Sequence, residues 1–435
     1  MMRIQDLRGT TPSTADLLDL LPRPVTDVAV ALDVARELVE DVRTRGSAAL
    51  LDQAERLDRV RPESLRVPAE AIAAAVDDLD ASVRAALEEA IRRVRLGSAA
   101  QVPPETTTTV VPGGTIVQRW QPVRRVGLYV PGGKAVYPSS VVMNVVAAQV
   151  AGVASIALAS PAQAAHGGSV HPVILGAAGL LGVDEVYAMG GAGAIGAFAH
   201  GVADLGLEPV DVVTGPGNIY VAAAKRVVRG VTGIDSEAGT TEILVVADAH
   251  ADPRLVAADL VSQAEHDEMA ASVLVTDSPE LARAVDAEVE ALAATTGHSA
   301  RVGQALTGPQ SAILVVDDLV TAARYSDAYG PEHLSVQTAD PDALLAHLHS
   351  AGAIFLGPHS PVSLGDYLAG SNHVLPTGGQ ARFGSGLGAY TFLRPQQVVR
   401  YDADALREAE PMIVALSRAE DLPAHGDAVT ARLTP

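Results

Sequence analysis

The sequence predicts an α/β protein, and the alternation of short apolar strands with helices is the main evidence. From Val110 onward, β-branched runs such as TIVQRW, SIALASP and VDVVTGPGN are interrupted by Gly and Pro and alternate with Ala-rich helical segments. This alternation is typical of a parallel sheet with crossover helices. A second set of strands follows, with EILVVAD, ASVLVTD and SAILVVDD. We therefore predict two doubly wound, Rossmann-like units.

Helical periodicity dominates the two ends of the chain. Residues 28–100 are rich in Ala, Leu, Val, Arg and Glu at helical spacing, and the tail from Phe392 is charged and predicted to be helical. The predicted organisation is an N-terminal segment (1–25), a larger discontinuous α/β domain (26–134 plus 243–387), a second Rossmann-like domain (135–242) and a C-terminal helical arm (388–435).

Composition indicates a compact multidomain protein and excludes several partners. At 435 residues, 48% hydrophobic and 19% charged, the chain is long enough for two or more cores. Its net charge of −21 argues against a nucleic-acid backbone or an anionic membrane surface as a partner. The start, MMRIQDLRGTTPS, lacks the apolar core of a secretory signal, so a cytoplasmic location is expected. The apolar stretch from Val141 to Ala159 fits a buried helix and strand better than a membrane span.

The chain contains no cysteine. Disulfides, cysteine zinc sites and a thiolate nucleophile are therefore excluded. Because aldehyde oxidation often runs through a cysteine adduct, an aldehyde-oxidising enzyme built from this chain must add water to the carbonyl instead.

Polar residues that suit catalysis are concentrated between Tyr329 and Thr377. Glu332, His333, Asp366 and His373 lie there among glycines and prolines, in YGPEH and GDYLAGSNHVLPT. Consecutive Glu and His side chains need an irregular turn to face one ligand, and catalytic groups tend to lie on such turns. Capped helices with ordinary turns are the alternative interpretation.

A metal site is a second hypothesis from the residues. Gln263 and His266 are three residues apart and share one face of a predicted helix. With Asp366 and His425 they would offer an amide oxygen, two imidazoles and a carboxylate, which suit a catalytic zinc ion, although manganese also accepts such ligands. A Gln and a His on a helix are more often solvated or capping residues, and spacing does not establish that the four meet.

Glycine-rich turns suggest a nucleotide site. Gly191, Gly193 and Gly196 form G-x-G-x-x-G between a predicted strand and a helix, as in dinucleotide-binding folds. The acidic residue expected about 20 positions later is not clearly placed. A packing turn is therefore the alternative. GPGN (215–218) and VPGG (130–133) are further loops where the backbone could approach a phosphate or ribose.

Several longer motifs, taken together and in order, resemble histidinol dehydrogenase. They are VPGG with YPSS, GPGN, QAEHDE, YGPEHL, SPVSLGDYLAGSNHVLPT and LPAHGDAV, and the resemblance covers nearly the whole chain. It implies oxidation of L-histidinol to L-histidinaldehyde and then to L-histidine, the last steps of histidine biosynthesis, with two NAD+ and one water. It also implies one zinc ion per subunit and a homodimer in which the C-terminal arm reaches the partner subunit.

The resemblance also implies roles for individual residues. His333 would be the base for the alcohol proton, Glu332 would activate water, and Tyr367 would line the pocket. The implied zinc ligands are Gln263, His266, Asp366 and, from the other subunit, His425. The implied substrate-binding residues are Thr241, Gln263, His266, His333, Asp366, His373, Glu420 and His425. The implied NAD positions are Tyr129, Gly193 and Asn218.

Three departures from the family pattern stand out. Gly193 replaces the usual Gln of GGAQAI, one of the family's nucleotide contacts, and this change itself completes the glycine fingerprint. We hypothesise a weakened or rearranged NAD site; Gly193→Gln should then change the Michaelis constant for NAD, and an unchanged constant would contradict it. AGTTE (238–242) replaces AGPSE or AGPTE, and His359 stands where Trp is common; for the latter we have no physical account.

Two other functions remain open from the sequence. One is a paralogous zinc- and NAD-dependent dehydrogenase of another small primary alcohol, which retention of His373 and Glu420 argues against. The other is a non-catalytic binding protein, which the intact Glu332–His333 pair and zinc positions argue against. A zinc count per chain would separate the binding protein from the enzymes.

Overall fold

Two parallel β-sheets organise the structure, a computed structural model that describes residues 2–10, 12–23, 28–132 and 135–434. Gly133 of the VPGG motif and the predicted domain borders at 25/26 and 134 lie outside the described residues.

The strands, in chain order, are β1 (Ile4–Asp6), β2 (Thr106–Val111), β3 (Gly114–Pro122), β4 (Arg125–Tyr129), β5 (Ser155–Ser160), β6 (Val186–Ala188), β7 (Val212–Thr214), β8 (Gly233–Ile234), β9 (Glu242–Ala247), β10 (Ala271–Thr276), β11 (Ala312–Val315), β12 (His333–Gln337), β13 (Ala353–Leu356) and β14 (Leu393–Tyr401). A six-stranded sheet, the larger sheet, has the order β1-β11-β10-β9-β12-β13, and a five-stranded sheet, the smaller sheet, has the order β6-β5-β4-β7-β8. All the strand pairs in both sheets are parallel.

The α-helices are α1 (Thr14–Leu20), α2 (Val28–Arg45), α3 (Ser47–Gln53), α4 (Ala69–Asp77), α5 (Ala81–Ala99), α6 (Pro138–Ala151), α7 (Pro172–Leu180), α8 (Gly191–His200), α9 (Ile219–Val228), α10 (Pro253–Ala264), α11 (Pro279–Thr295), α12 (Ser299–Thr307), α13 (Leu319–Tyr329), α14 (Pro341–Leu345), α15 (Val362–Tyr367), α16 (Ala403–Ala419) and α17 (Pro423–Leu433). A π-helical turn (Ala54–Asp58) follows α3, and short 3-10 turns occupy Ala164–His166, Ala203–Leu205, Gln380–Arg382 and Ala389–Phe392.

Both sheets are covered by helices on both faces, which confirms the predicted doubly wound α/β fold. The smaller sheet has one core with residues from α4, α5, α6 and α7, and another with residues from α2, α3, α8 and α9. The larger sheet packs α10, α11 and α12 on one face and α1 and α13 on the other. Near-continuous apolar strands such as β9 and β10, buried at every position, are what a sheet with two covered faces requires.

The packing differs from the predicted grouping of residues 26–134 with 243–387. Helices of residues 28–99 and strand β4 share their cores with the smaller sheet, because their apolar stripes face helices α6 to α9. The domain borders themselves stay a prediction.

β1 and β14, near the two ends of the chain, are among the strands that the sequence did not predict. β1 pairs with β11, so the N-terminal segment adds an edge strand to the larger sheet. The C-terminal arm begins as a strand, since β14 pairs along its length with β3 in an antiparallel sheet of order β14-β3-β2. The expectation that the arm is helical from its start was therefore wrong for residues 393–401, and correct for α16 and α17.

The apolar stretch from Val141 to Ala159 is mostly buried and forms α6 and β5, as predicted. No helix within the described ranges combines the length and apolarity needed to cross a membrane.

Candidate active site between two sheet edges

The predicted catalytic residues lie at the amino ends of strands in the larger sheet. His333 is the first residue of β12 and pairs with Ile243 of β9 and Ala353 of β13. Gly330, with φ of +58°, ends α13 and starts the turn that leads to Glu332 and His333. The predicted irregular turn is therefore present, and both side chains are buried. Helix α10 packs on β9 and β10 and ends beside the same edge, where Gln263 and His266 lie.

Glu332 is held through one carboxylate oxygen. Its Oε2 accepts hydrogen bonds from Thr241 Oγ1 at 2.6 Å and from the backbone nitrogen of Glu242 at 2.9 Å. Burial raises the pKa of Glu332 to about 8, against the lowering effect of these two donors. A carboxyl group with a pKa near the working pH suits proton exchange with water.

His333 has a defined tautomer. Its Nδ1 lies 3.1 Å from the carbonyl oxygen of Glu242, and because a carbonyl only accepts, Nδ1 carries the proton. Nε2 is then the basic nitrogen. Burial lowers the pKa of His333, although the charges of Asp366 and Glu242 oppose this. A buried imidazole that stays neutral at pH 7 is ready to accept a proton.

Thr241 connects the catalytic carboxyl group to a predicted metal ligand. The amide nitrogen of buried Gln263 donates to Thr241 Oγ1 at 2.6 Å, and Thr241 in turn donates to Glu332. This arrangement leaves the amide oxygen of Gln263 as the atom able to face a cation.

His266 and Asp366 belong to the same electrostatic neighbourhood. The charge of His266 acts on Glu332, and that of Asp366, in α15, acts on His333 and His373. With Thr241 and Gln263, seven of the predicted residues are thus brought together. Half-exposed Tyr367 follows Asp366 in the chain. Burial is the main reason that the pKa of Tyr367 is raised, and the charge of Asp366 is the second.

His373 uses both ring nitrogens within the protein. Its Nδ1 donates to the backbone carbonyl of Asp366 at 2.9 Å, so its Nε2 accepts from Ser140 Oγ at 3.0 Å. Burial lowers the pKa of His373. A contact between its ring nitrogen and a substrate would have to replace Ser140.

The two predicted residues of the arm are not part of this cluster. Glu420 and His425 are exposed, and α16 and α17 pack mainly against each other. Among the residues that the structure describes, no group of three or more His, Asp or Glu side chains has metal-binding geometry.

An ion pair missed by the sequence reasoning lies directly behind the catalytic residues. Arg23 donates to both carboxylate oxygens of Glu242, at 2.8 and 3.1 Å, and to the backbone carbonyl of Tyr329. Its guanidinium carbon lies 3.8 Å from the centre of the Tyr329 ring, and Tyr329 Oη donates to Glu242 Oε2 at 3.2 Å. Arg23 thus fixes Glu242, whose backbone contacts both catalytic residues. No local pattern around Arg23 signals this role.

The predicted nucleotide residues lie near the carboxyl ends of strands in the smaller sheet, whereas the predicted catalytic residues lie at the amino ends of strands in the larger sheet. Tyr129 ends β4, and its hydroxyl accepts from the backbone nitrogen of Gly191 at 3.2 Å. Asn218 follows β7 and caps α9 through its side-chain oxygen. At Gly215, with φ of +114°, a Cβ would come within 1.9 Å of the Tyr129 carbonyl oxygen, so the two loops pack directly on each other.

Gly193 and Gly196 allow close packing of α8. A Cβ at Gly193 would lie 2.2 Å from Gln53 Oε1, and one at Gly196 would lie 3.1 Å from the backbone of Val39. Gln53 Oε1 is buried and has no hydrogen-bond partner among the described residues. This geometry favours the packing interpretation of the glycine fingerprint for these two positions.

Comparisons with known proteins agree with this fold. The family model described as histidinol dehydrogenase matches residues 21–433. Relatives named histidinol dehydrogenase include one from Leifsonia xyli subsp. xyli, 70% identical over 431 residues (99% of both chains), and one from Nocardia farcinica, 60% identical over 430 residues (98% of this chain and 97% of the relative). A crystal structure of histidinol dehydrogenase from Elizabethkingia anophelis superposes with a TM-score of 0.92 at 31% identity, over 99% of this chain and 98% of the other. The resemblance found in the motifs is confirmed, and the chain belongs to the histidinol dehydrogenase family.

Proposed function

We propose that this protein is an NAD-dependent oxidoreductase that converts L-histidinol through L-histidinaldehyde to L-histidine. Family membership supports the reaction, and the observation that carries the mechanism is the buried Glu332–His333 pair. Burial shifts the two pKa values in opposite directions, which leaves a neutral imidazole beside a carboxyl group that titrates near pH 8.

His333 is the base in the first oxidation. Its Nε2 accepts the proton of the alcohol oxygen, and bound NAD+ would supply the acceptor for the hydride that leaves the same carbon. The contact of Nδ1 with the Glu242 carbonyl holds the ring in place and stabilises the imidazolium that forms. One NADH and the aldehyde result.

Glu332 acts in the second oxidation. Its ionised form accepts a proton from water, which adds to the aldehyde carbon. The hydrate then loses its two hydroxyl protons and would pass hydride to a second NAD+, which gives the carboxylate. Because the pKa of Glu332 is about 8 in the protein alone, the ionised fraction grows as pH rises through 7 to 8. A cation nearby would extend activity to lower pH. The absence of cysteine agrees with a route through water.

The residues present fit a zinc ion, provided that one ligand comes from a second copy of the chain. Gln263, His266 and Asp366 would be ligands from one subunit, and His425 the ligand from the other. Such an ion would supply a fixed positive centre for the amine and imidazole nitrogens of the substrate. The exposed positions of His425 and Glu420 support donation to a partner in a homodimer, with Glu420 contacting the substrate there.

The carboxyl edge of the smaller sheet is the proposed NAD site. The N-termini of α6, α8 and α9 follow β4, β6 and β7 at this edge, and helix N-termini favour the pyrophosphate of a dinucleotide. Tyr129 and Asn218 line this edge. A cytoplasmic location and the absence of nucleic-acid partners stay predictions from composition.

The first test follows NADH formation with L-histidinol as the sole alcohol. Two NADH per histidinol, lost on chelation and restored by zinc, is the expected result. If the folded, zinc-loaded protein makes no NADH from histidinol but does so from another amino alcohol, the paralogue hypothesis is correct.

A second test addresses the shared site. His333→Asn and His425→Asn chains are each expected to be inactive alone as homodimers, because His333 is the proposed base of the first oxidation. When the two are unfolded and refolded together in equal amounts, hybrid dimers should regain one intact site each, or about a quarter of the wild-type sites. No recovery in hybrids isolated by two affinity tags would mean that His425 serves its own subunit.

A further inference from the structure

A row of hydrogen bonds connects the nucleotide loop to the substrate side of the site. Thr214 Oγ1 donates to Asn144 Oδ1 at 2.7 Å, and Asn144 Nδ2 donates to the backbone carbonyl of Ser140 at 2.8 Å. Ser140 Oγ lies 3.0 Å from His373 Nε2, and His373 Nδ1 lies 2.9 Å from the carbonyl of Asp366. We name these four contacts the donor chain.

In each of the four hydrogen bonds, the donor lies on the Thr214 side and the acceptor on the Asp366 side. The Asp366 carbonyl forces the proton onto His373 Nδ1, so Nε2 must accept, and Ser140 must donate to it. Asn144 offers its oxygen to Thr214 and its nitrogen to Ser140, which is the orientation that satisfies both neighbours. Ser140 joins two pairs of aligned hydrogen bonds, because its backbone carbonyl accepts from Asn144 and its hydroxyl donates to His373.

The donor chain connects the nucleotide loop of the smaller sheet with the segment that contains Asp366 and His373. Thr214 is the last residue of β7 and directly precedes the loop Gly215–Asn218, while Ser140 and Asn144 lie on α6. His373 and Asp366 belong to the segment that begins with α15. Ser140, Asn144 and Thr214 are buried, with exposures of 2%, 0% and 0%, so water does not replace a lost partner.

We propose that Ser140, Asn144 and Thr214 are positioning residues that hold the substrate side of the site at a fixed distance from the nucleotide loop. This inference rests on the proposed function, because its purpose is the alignment of the reacting carbon with the nicotinamide. Hydride transfer depends steeply on that alignment, whereas the binding of each ligand alone does not.

The test compares three changes at buried threonines. Thr214→Val keeps the shape and removes the donor; we expect kcat to fall about tenfold with little change in either Michaelis constant, and the isotope effect with carbinol-deuterated histidinol to rise. Thr214→Ser should restore kcat, because it retains the hydroxyl. Thr232→Val is the matched control, since buried Thr232 in the same sheet region donates only to the Val210 carbonyl at 2.9 Å.

The double variant Ser140→Ala with Thr214→Val tests whether the contacts act as one unit. If they do, the double variant loses about as much kcat as the worse single variant. Losses that multiply, or a Thr214→Val enzyme that behaves like Thr232→Val, would overturn the proposal.

A measurement without catalysis separates this inference from the proposed function. Amide hydrogen exchange in residues 371–377 should be faster in Thr214→Val than in Thr232→Val, whatever alcohol the enzyme oxidises. Equal exchange in the two variants would reject the donor chain even in an active enzyme. Failure of the wild-type protein to oxidise histidinol, with exchange changed as expected, would reject only the proposed function.

Discussion

The two sheets contribute opposite edges to one site. The larger sheet presents the amino ends of β9 and β12, where Glu242, Glu332 and His333 are buried. The smaller sheet presents the carboxyl ends of β4 and β7, where the loops consist largely of glycine, proline and one capping asparagine. The predicted catalytic groups thus lie on one side, whereas on the other side the buried Lys225–Asp235 ion pair holds the Gly215 loop through its backbone.

Helix dipoles explain why the two edges take different ligands. At the larger sheet, α10 ends beside Gln263 and His266, and the C-terminal end of a helix carries partial negative charge, which favours a cation. At the smaller sheet, three helices begin, and their N-terminal ends favour an anion. A zinc ion on one edge and a dinucleotide on the other is the arrangement that these fields favour.

The largest expected effect is at the larger sheet, from Glu332→Gln. The amide cannot accept a proton from water, so oxidation of L-histidinaldehyde should fall roughly a hundred to ten thousand fold, with much less effect on oxidation of histidinol. NADH per histidinol should drop from two towards one in rapid-quench measurements. Equal losses with the two substrates would contradict the division of roles between Glu332 and His333.

Arg23→Gln should give the next largest effect, although Arg23 is far from the site in sequence. Loss of the ion pair frees Glu242, whose backbone contacts both catalytic residues, so kcat should fall about tenfold with little change in the Michaelis constant for NAD. Arg125→Gln is the matched control, because Arg125 makes a similar two-point pair with Glu185 at 2.9 and 2.5 Å in the smaller sheet. Equal kcat in the two variants would show that Arg23 contributes only to stability.

The sequence predicted the two sheets and the irregular turn that carries Glu332 and His333, because both have local signals. Strand and helix periodicity is read within about ten residues, and Glu332 and His333 stand in one distinctive turn. Arg23 and β1 were missed since their partners, Glu242 and β11, are more than 200 residues away. Residue spacing offered the metal set and the glycine turns only as hypotheses, and the proposed ligands and nucleotide positions were assigned through the family resemblance.

The smaller sheet's edge can be tested through Gly193. A Cβ at position 193 would lie 2.2 Å from Gln53 Oε1, so Gly193→Gln alone should not lower the Michaelis constant for NAD unless Gln53 moves. Gly193→Gln combined with Gln53→Ala removes this clash, and one added hydrogen bond should then lower the Michaelis constant for NAD about fivefold. The double variant, rather than the single one, therefore tests the hypothesis of a weakened NAD site. Gln53→Ala alone is the control. If the single and double Gly193 variants behave alike, Gln53 does not govern this position.

The smallest expected effect is on the free energy of unfolding, and it comes from Asp259, which lies one helical turn from Gln263. Asp259 is buried in α10 and accepts from Gln337 Nε2 at 3.0 Å and Ser335 Oγ at 3.3 Å, and burial raises its pKa to about 6. Its pKa in the unfolded chain is about 4, so between pH 4 and 6 the folded state binds more protons. The free energy of unfolding therefore falls as pH rises through this range, by about 1 to 3 kcal/mol, and the loss is complete above pH 6.

Asp259→Asn removes this titration while keeping the shape and an acceptor oxygen. Urea unfolding at pH 4.5 and 7.5 should show a variant that gains stability relative to the wild type as pH rises, with kcat nearly unchanged. The difference between the two proteins isolates Asp259 from the other groups that titrate in this range. A constant difference at both pH values would mean that the Gln337 and Ser335 contacts already offset the burial of the charge, and that the larger sheet tolerates an ionised carboxylate away from its catalytic edge.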